Sequence, residues 1–175
     1  DMDNDWNIDY IGGNLGLNTP FKASEGAPLS VYSGDFDGSG MPHTLMSWYK
    51  KGENYPMPSR DALLRQMPAL GKRYLKYNEY AKAKTADIIP PGVLENTLVL
   101  KGSYFSTSYL ENLGDGKFSL KPLPLPAQVA PVNGILLRDV DYDGNLDVLM
   151  TGNSYAPDVS IGRYDAFAGL YLRGD

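Results

Sequence analysis

Carboxylates recur at alternate positions in three short stretches of this chain, and oxygen ligands at that spacing converge on one point when their loop curls. The fullest stretch is Asp139-Val-Asp141-Tyr-Asp143-Gly144-Asn145-Leu-Asp147, with acids first, third, fifth and ninth and the apolar run Val148-Leu149-Met150 directly after. Asp1-Met-Asp3-Asn-Asp5-Trp6-Asn7-Ile-Asp9 repeats the four acids and leads into Tyr10 and Ile11. A weaker copy, Asp35-Phe-Asp37-Gly-Ser39-Gly40-Met41-Pro-His43, keeps two acids and places Ser39 fifth and His43 ninth. Calcium takes about six to eight oxygens at ~2.3–2.6 Å, so four carboxylates with a backbone carbonyl and water suit Ca²⁺. Magnesium demands tighter octahedral geometry, and zinc favours nitrogen or sulfur. Without a cation, four carboxylates this close repel one another, and glycine at the sixth position permits the sharp turn. An Asx-rich turn without metal is the plainer alternative for each copy. An EF-hand does not fit, because the twelfth position is Met150 where a bidentate Glu is needed, and β-prone residues follow where a helix must begin.

Other chemistry finds little support. The chain has no cysteine, which removes disulfides, thiolate catalysis and Cys-containing zinc sites. Its one histidine, His43, would have to serve any Ser-His-acid triad, and no GxSxG elbow occurs, so His43 reads as a degenerate loop residue. GGNLG (Gly12–Gly16) lacks the spacing of a phosphate-binding loop and reads as a turn. The best-placed carboxylate pairs are already explained as metal ligands, and thirteen tyrosines are as compatible with a β-scaffold as with sugar stacking. A net charge of −5 argues against nucleic acid as a partner. No apolar run reaches the ~18 residues of a membrane span. The polar DMDNDWNID opening is no signal peptide, which allows a mature or excised segment of a longer chain.

The elements that must position these loops are short. Glycine and proline punctuate the apolar runs throughout, which favours many short strands: Leu29–Tyr32, Thr44–Tyr49, Thr97–Leu100, Ser108–Leu110, Gly134–Leu137, Leu146–Met150 and Leu170–Leu172. Glu111–Leu120 reads as a hairpin turned by Gly-Asp-Gly. From Ser59 to about Ile89 the composition changes to helix formers. Ser59 is the expected N-cap, and Leu63, Leu64, Met67 and Leu70 form an apolar face. Pro68 then breaks the helix before a second piece near Lys72–Lys84, with Tyr74, Leu75, Tyr77 and Tyr80 in contact. Between Arg60 and Lys84 seven basic residues face two acids, which we read as the solvated face of a peripheral excursion, with docking to an acidic partner as the alternative.

The DxDxDGxxD loop entering an apolar strand, the Thr151-Gly152-Asn153 after it and the Asn112–Phe118 hairpin resemble FG-GAP/VCBS repeats. Those repeats build calcium-binding β-propellers similar to the integrin α-subunit head. Tyr109–Asp175, with its GRYDA segment (Gly162–Ala166), resembles large exported repeat proteins of Bacteroidota-type bacteria. The resemblance covers about residues 1–50 and 97–175 and omits the helical stretch. It implies side-chain ligation of Ca²⁺ by Asp139, Asp141, Asp143 and Asp147 and a carbonyl from Asn145. Asp1, Asp3, Asp5 and Asp9 match with Asn7 at the carbonyl position, although Trp6 stands at the glycine position. In the middle copy the matching residues are Asp35, Asp37, Ser39 and Met41.

The implied fold is all-β, a partial β-propeller of FG-GAP/VCBS-type blades over residues 1–175 with a basic helical insert at about 58–89. Propeller blades carry four strands in ~40–50 residues, so the chain holds roughly three blades' worth or less and needs remaining blades or a protein partner to close. On the hairpin alignment Arg173-Gly174-Asp175 is an interrupted turn, and we expect no adhesive role for it. The implied function is a non-enzymatic, calcium-stabilised interaction module, extracytoplasmic, whether at the cell surface, secreted or periplasmic. A carbohydrate-binding or carbohydrate-cleaving propeller and an accessory subunit of an outer-membrane complex are the alternatives.

Overall fold

The computed structural model describes residues 2–3 and 5–174. Along them run the strands β1 (Tyr10–Gly12), β2 (Leu29–Gly34), β3 (His43–Lys50) and β4 (Glu53–Pro56). The helices α1 (Arg60–Gln66), α2 (Tyr77–Tyr80), α3 (Thr85–Ile88) and α4 (Pro91–Leu94) come next. The strands β5 (Leu98–Gly102), β6 (Ser108–Asn112), β7 (Phe118–Pro122), β8 (Val132–Arg138), β9 (Asp147–Gly152) and β10 (Leu170–Leu172) complete the order. Every stretch read as a strand from its apolar run is one, shifted by no more than two residues at either end. The sheets are antiparallel throughout, so the class is all-β with short helices. Among the described residues they do not close into a barrel or a propeller ring. No described helix is long and apolar enough to cross a membrane.

The chain divides into two compact units. One comprises the described residues up to Pro20 and from Phe105 onward; the other is Phe21–Tyr104, inserted between β1 and β6. The first holds the sheets β1-β6-β7 and β10-β9-β8. Its core is Ala127, Ala130, Val132, Val148, Met150, Tyr164 and Phe167. The β6–β7 turn is the expected Gly-Asp-Gly, with φ of 79°, 51° and 72° at Gly114, Asp115 and Gly116. At the end of β9, a Cβ on Gly152 would lie 1.8 Å from the Pro131 carbonyl oxygen, so only glycine lets these backbones approach. Asn153 follows at φ 97°, and its amide clasps Phe167 twice, accepting from its N–H and donating to its carbonyl, both at 2.9 Å. The Gly-Asn pair is thus a backbone joint between β9 and the segment that returns as β10.

The second unit is built on the sheet β4-β3-β2-β5. β4 carries no apolar alternation and ends in Pro56, which hid it in the sequence; it forms because Lys51 and Gly52, at φ 53° and 81°, make a two-residue hairpin turn. Ser59 caps α1 as expected, its hydroxyl accepting from the Ala62 N–H at 3.2 Å. Pro68 opens a 3₁₀ turn over Pro68–Lys72 and ends α1, as its missing N–H requires.

Two expectations about this helical stretch need correction. The second piece is not one helix: Glu79 and Asp87 reach back to accept the N–H groups of Lys76 and Lys84, and each such cap restarts a single turn. Leu75 is exposed and makes no core contact, Tyr74 and Tyr80 pack edge to face, and Tyr77, though exposed, meets α1 by donating its hydroxyl to Asp61 at 2.8 Å. Nor is the excursion peripheral to its own unit. Leu63, Met67, Tyr74 and Ala83 pack with Phe36 and Leu45 and with Ile88 and Ile89 in one core. Several of its cations are structural: Arg60 donates to the carbonyls of Tyr74 and Leu75, Arg73 donates to the carbonyl of Asp87, and Lys84 pairs with Glu53 at 3.0 Å.

Candidate metal centre

In the Asp139–Asp147 loop the chain leaves β8, curls and enters β9 at Asp147. Backbone N–H groups shape the curl. Asp139 accepts from Asp143 and Gly144 at 3.2 and 3.0 Å, Asp141 accepts from Asp143 at 3.3 Å, and Asp143 accepts from Asn145 at 2.9 Å. Tyr142 and Gly144 are left-handed, at φ 62° and 95°. The result brings carboxylate oxygens of Asp139, Asp141 and Asp147 within 4.8 Å of one another. Asp143 is engaged elsewhere: the Arg173 guanidinium meets it at 2.7 Å and Asp141 at 2.8 Å. A cation from the chain itself thus faces two of the four carboxylates, which is the electrostatic complement such a loop demands. The Asn145 N–H, held by that bond with Asp143, and Arg173 together keep the Asp143 carboxyl below the usual carboxylate range.

Asp147 has a different role. It is fully buried, and its two oxygens accept from the N–H groups of Val140 and Gly174 at 2.8 and 2.9 Å. These bonds outweigh the cost of burial and hold its carboxyl below the usual range. The clamp ties the start of the loop to the chain just beyond β10, and it occurs twice. Asp9, also buried, accepts from Met2 at 2.7 Å and from Asn112, at the end of β6, at 2.9 Å. Burial works against ionisation of Asp9, but the bonds from Asn112 and Met2 prevail and its carboxyl is lowered too.

Strand register confirms the correspondence. Tyr10 pairs with Leu110 as Val148 pairs with Leu172, and Ile11 pairs with Tyr109 as Leu149 pairs with Tyr171. Burial and the neighbouring Asp9 and Asp147 carboxylates push the hydroxyls of Tyr109 and Tyr171 upward alike. The first acidic loop is therefore a structural copy of the third at its ninth position. Trp6 even takes the left-handed turn of Gly144, at φ 72°, despite its side chain. Its ligand positions are looser: Asp1 lies outside the described residues, Asp3 accepts from the Asp5 N–H, Asp5 accepts from both the backbone and the side-chain amide of Asn7, and Asp3, Asp5 and Asp9 form no three-donor cluster.

The middle loop follows the third in its curl. Asp35 accepts from Ser39 and Gly40 at 3.0 and 2.8 Å, Asp37 accepts from Ser39 at 3.1 Å, and Gly38 and Gly40 are left-handed. Ser39 accepts from the Met41 N–H at 3.3 Å. A second cluster with donor atoms within 4.8 Å consists of Asp35, Asp37 and His43. His43 is the residue that sequence reasoning set aside; its ninth position in the repeat was the signal. Among the described residues two clusters could thus hold a metal ion, one of oxygens alone and one that includes a nitrogen. Comparison of the chain with protein-family models, with curated proteins and with solved structures finds no match.

Proposed function

We propose that the chain is a non-enzymatic, calcium-stabilised interaction module, its sheets serving as blades or part-blades of a β-propeller in an exported or cell-surface protein. The observation that carries this reading is the twofold clamp of Asp9 and Asp147, in which one acidic loop is locked to one strand end by the same pair of bonds. The Asp139–Asp147 donor set fits a hard cation, since it is made of oxygens and three carboxylates already converge. Asp139, Asp141 and Asp147 would hold the ion, which supplies the charge that relieves their repulsion.

If affinity matches weak extracellular modules, at ~10⁻⁴–10⁻³ M, external calcium loads the loop and cytosolic calcium does not. Calcium at about ten times Kd contributes roughly 1.4 kcal/mol, enough to raise a melting midpoint by several degrees. Thermal melts in calcium, magnesium and chelator test this: the midpoint should rise in calcium alone, and Asp141→Ala should abolish the rise. A midpoint that is the same in all three conditions overturns the calcium reading.

One observation favours carbohydrate as the ligand of the second unit. An open pocket of about 330 Å³ is lined by Trp48, Tyr55 and Tyr80, with the Lys50 ammonium 3.8 Å from the centre of the Trp48 ring. Trp48 and Tyr55 are cross-strand partners, so their rings are presented from one face of the β3–β4 hairpin. No carboxylate lines this pocket, which favours binding over cleavage. Electrophoresis through gels containing soluble polysaccharides should show retardation that Trp48→Ala removes; equal mobility of both proteins in every gel rules the pocket out as a sugar site.

A further inference from the structure

We propose that the Asp35–His43 loop is a site for a borderline transition-metal ion, with Zn²⁺ as the type, and not a calcium site. The repeat pattern implies calcium here, and the donor set does not fit it. Only two carboxylates are present, the fifth position is a neutral hydroxyl, and the ninth offers nitrogen where its counterparts Asp9 and Asp147 offer oxygen. Calcium gathers about six to eight oxygens and gains affinity with ligand charge, so this loop is poor in both respects. Zinc needs fewer donors and accepts imidazole beside carboxylate.

The geometry suits that smaller demand. His43 Nε2 lies 3.1 Å from Asp37 Oδ1, and Asp35 completes a cluster whose donor atoms all fall within 4.8 Å. Around a tetrahedral ion with Zn–N and Zn–O bonds of ~2.0–2.2 Å, donor atoms stand roughly 3.4 Å apart, so only a small closure is required. Asp37 is exposed and His43 and Asp35 are half-buried, so the cluster is open to an ion from solvent. His43 is also held from behind: it opens β3 and pairs with Gly34 in register, while the N–H groups of Ser39 and Gly40 fix Asp35. Asp9 and Asp147 commit both oxygens to backbone clamps, whereas the His43 Nε2 faces Asp37 and, at 3.5 Å, the Ser39 hydroxyl. Substitution at the ninth position therefore replaces a carboxylate clamped by two backbone N–H groups with an imidazole nitrogen turned toward the other donors. With one histidine and no cysteine in the chain, no second imidazole or thiolate can supply a competing site.

The lone histidine also makes the test local, since its ring gives a single set of nuclear magnetic resonance signals. The chain, carrying a purification tag free of histidine and stripped with chelator, is titrated with Zn²⁺ while the His43 ring is followed and heat is measured in parallel. One equivalent of Zn²⁺ should move the Nε2 resonance to its metal-bound position, and a hundredfold excess of Ca²⁺ should neither produce nor reverse the change. His43→Ala and Asp37→Asn should lose this binding while keeping their circular dichroism spectra. Ring signals that ignore Zn²⁺ in the wild-type chain show an ion pair and nothing more, and overturn the proposal whatever the variants do; so does displacement by calcium. The calcium reading of Asp139–Asp147 is independent, because its melting response depends on Asp141 and should survive His43→Ala.

Discussion

Replacing Arg60–Lys84 by a short Gly/Ser linker should unfold the Phe21–Tyr104 unit, with loss of amide protection across β2, β3, β4 and β5 in hydrogen exchange. The excised residues include Leu63, Met67, Tyr74 and Ala83, half of the buried cluster that covers Phe36 and Leu45. Without them only Ile88, Ile89 and Val93 remain to cover the four-stranded sheet, and a sheet with most of its partner layer removed cannot bury its apolar face. A graded version uses Leu63→Ala, which leaves the chain length unchanged. Leu63 and Leu45 are both wholly buried, so truncation removes transfer energy and leaves a cavity, a loss of about 2–5 kcal/mol. For a unit of this size that lowers the melting midpoint by roughly 10 °C or more. Leu75→Ala, on the exposed side of the same stretch, should change stability by less than about 0.5 kcal/mol. Retained protection of β2–β5 in the linker variant would show that the strands hold each other without the helices.

The same residues mark where the sequence was legible and where it was not. Leu63 and Met67 announced themselves by spacing, because a helix that buries one stripe must place apolar side chains three and four residues apart. What that spacing cannot say is which layer the stripe covers, so an insert read as peripheral is the roof of a core. Leu75 is exposed for a related reason: caps at Lys76 and Lys84 break the helix, and the phase of an apolar stripe does not survive a break. β4 was hidden because a hairpin partner is specified by the Lys51-Gly52 turn and by register with β3, not by its own alternation. In the acidic loops the spacing of carboxylates was readable and their division of labour was not. Asp147 and Asp143 look equivalent in sequence, yet one is a buried clamp and the other faces Arg173, which lies thirty residues away in sequence.

That division sets the expected effects at the third loop. Asp147→Ala, measured in chelator so that metal plays no part, should destabilise the unit by about 2–4 kcal/mol, because two backbone donors, of Val140 and Gly174, lose their acceptors in a part-buried setting. Asp143→Ala should cost no more than about 1 kcal/mol, since the pair it makes with Arg173 is solvent-exposed. Asp9→Ala should resemble Asp147→Ala, as the equivalent clamp requires. Acid supplies an independent check. Bonds from Gly174 and Val140 depress the folded pKa of Asp147, so its contribution is fully present above the ordinary carboxylate range and is lost as pH falls through the lowered folded value. The stability difference between wild type and Asp147→Ala, read from urea midpoints, should therefore be largest near neutrality and shrink as the pH is taken below the ordinary carboxylate range. A difference that does not vary with pH would assign the loss to packing alone, and equal effects of Asp143→Ala and Asp147→Ala would remove the clamp as the element that joins loop to strand.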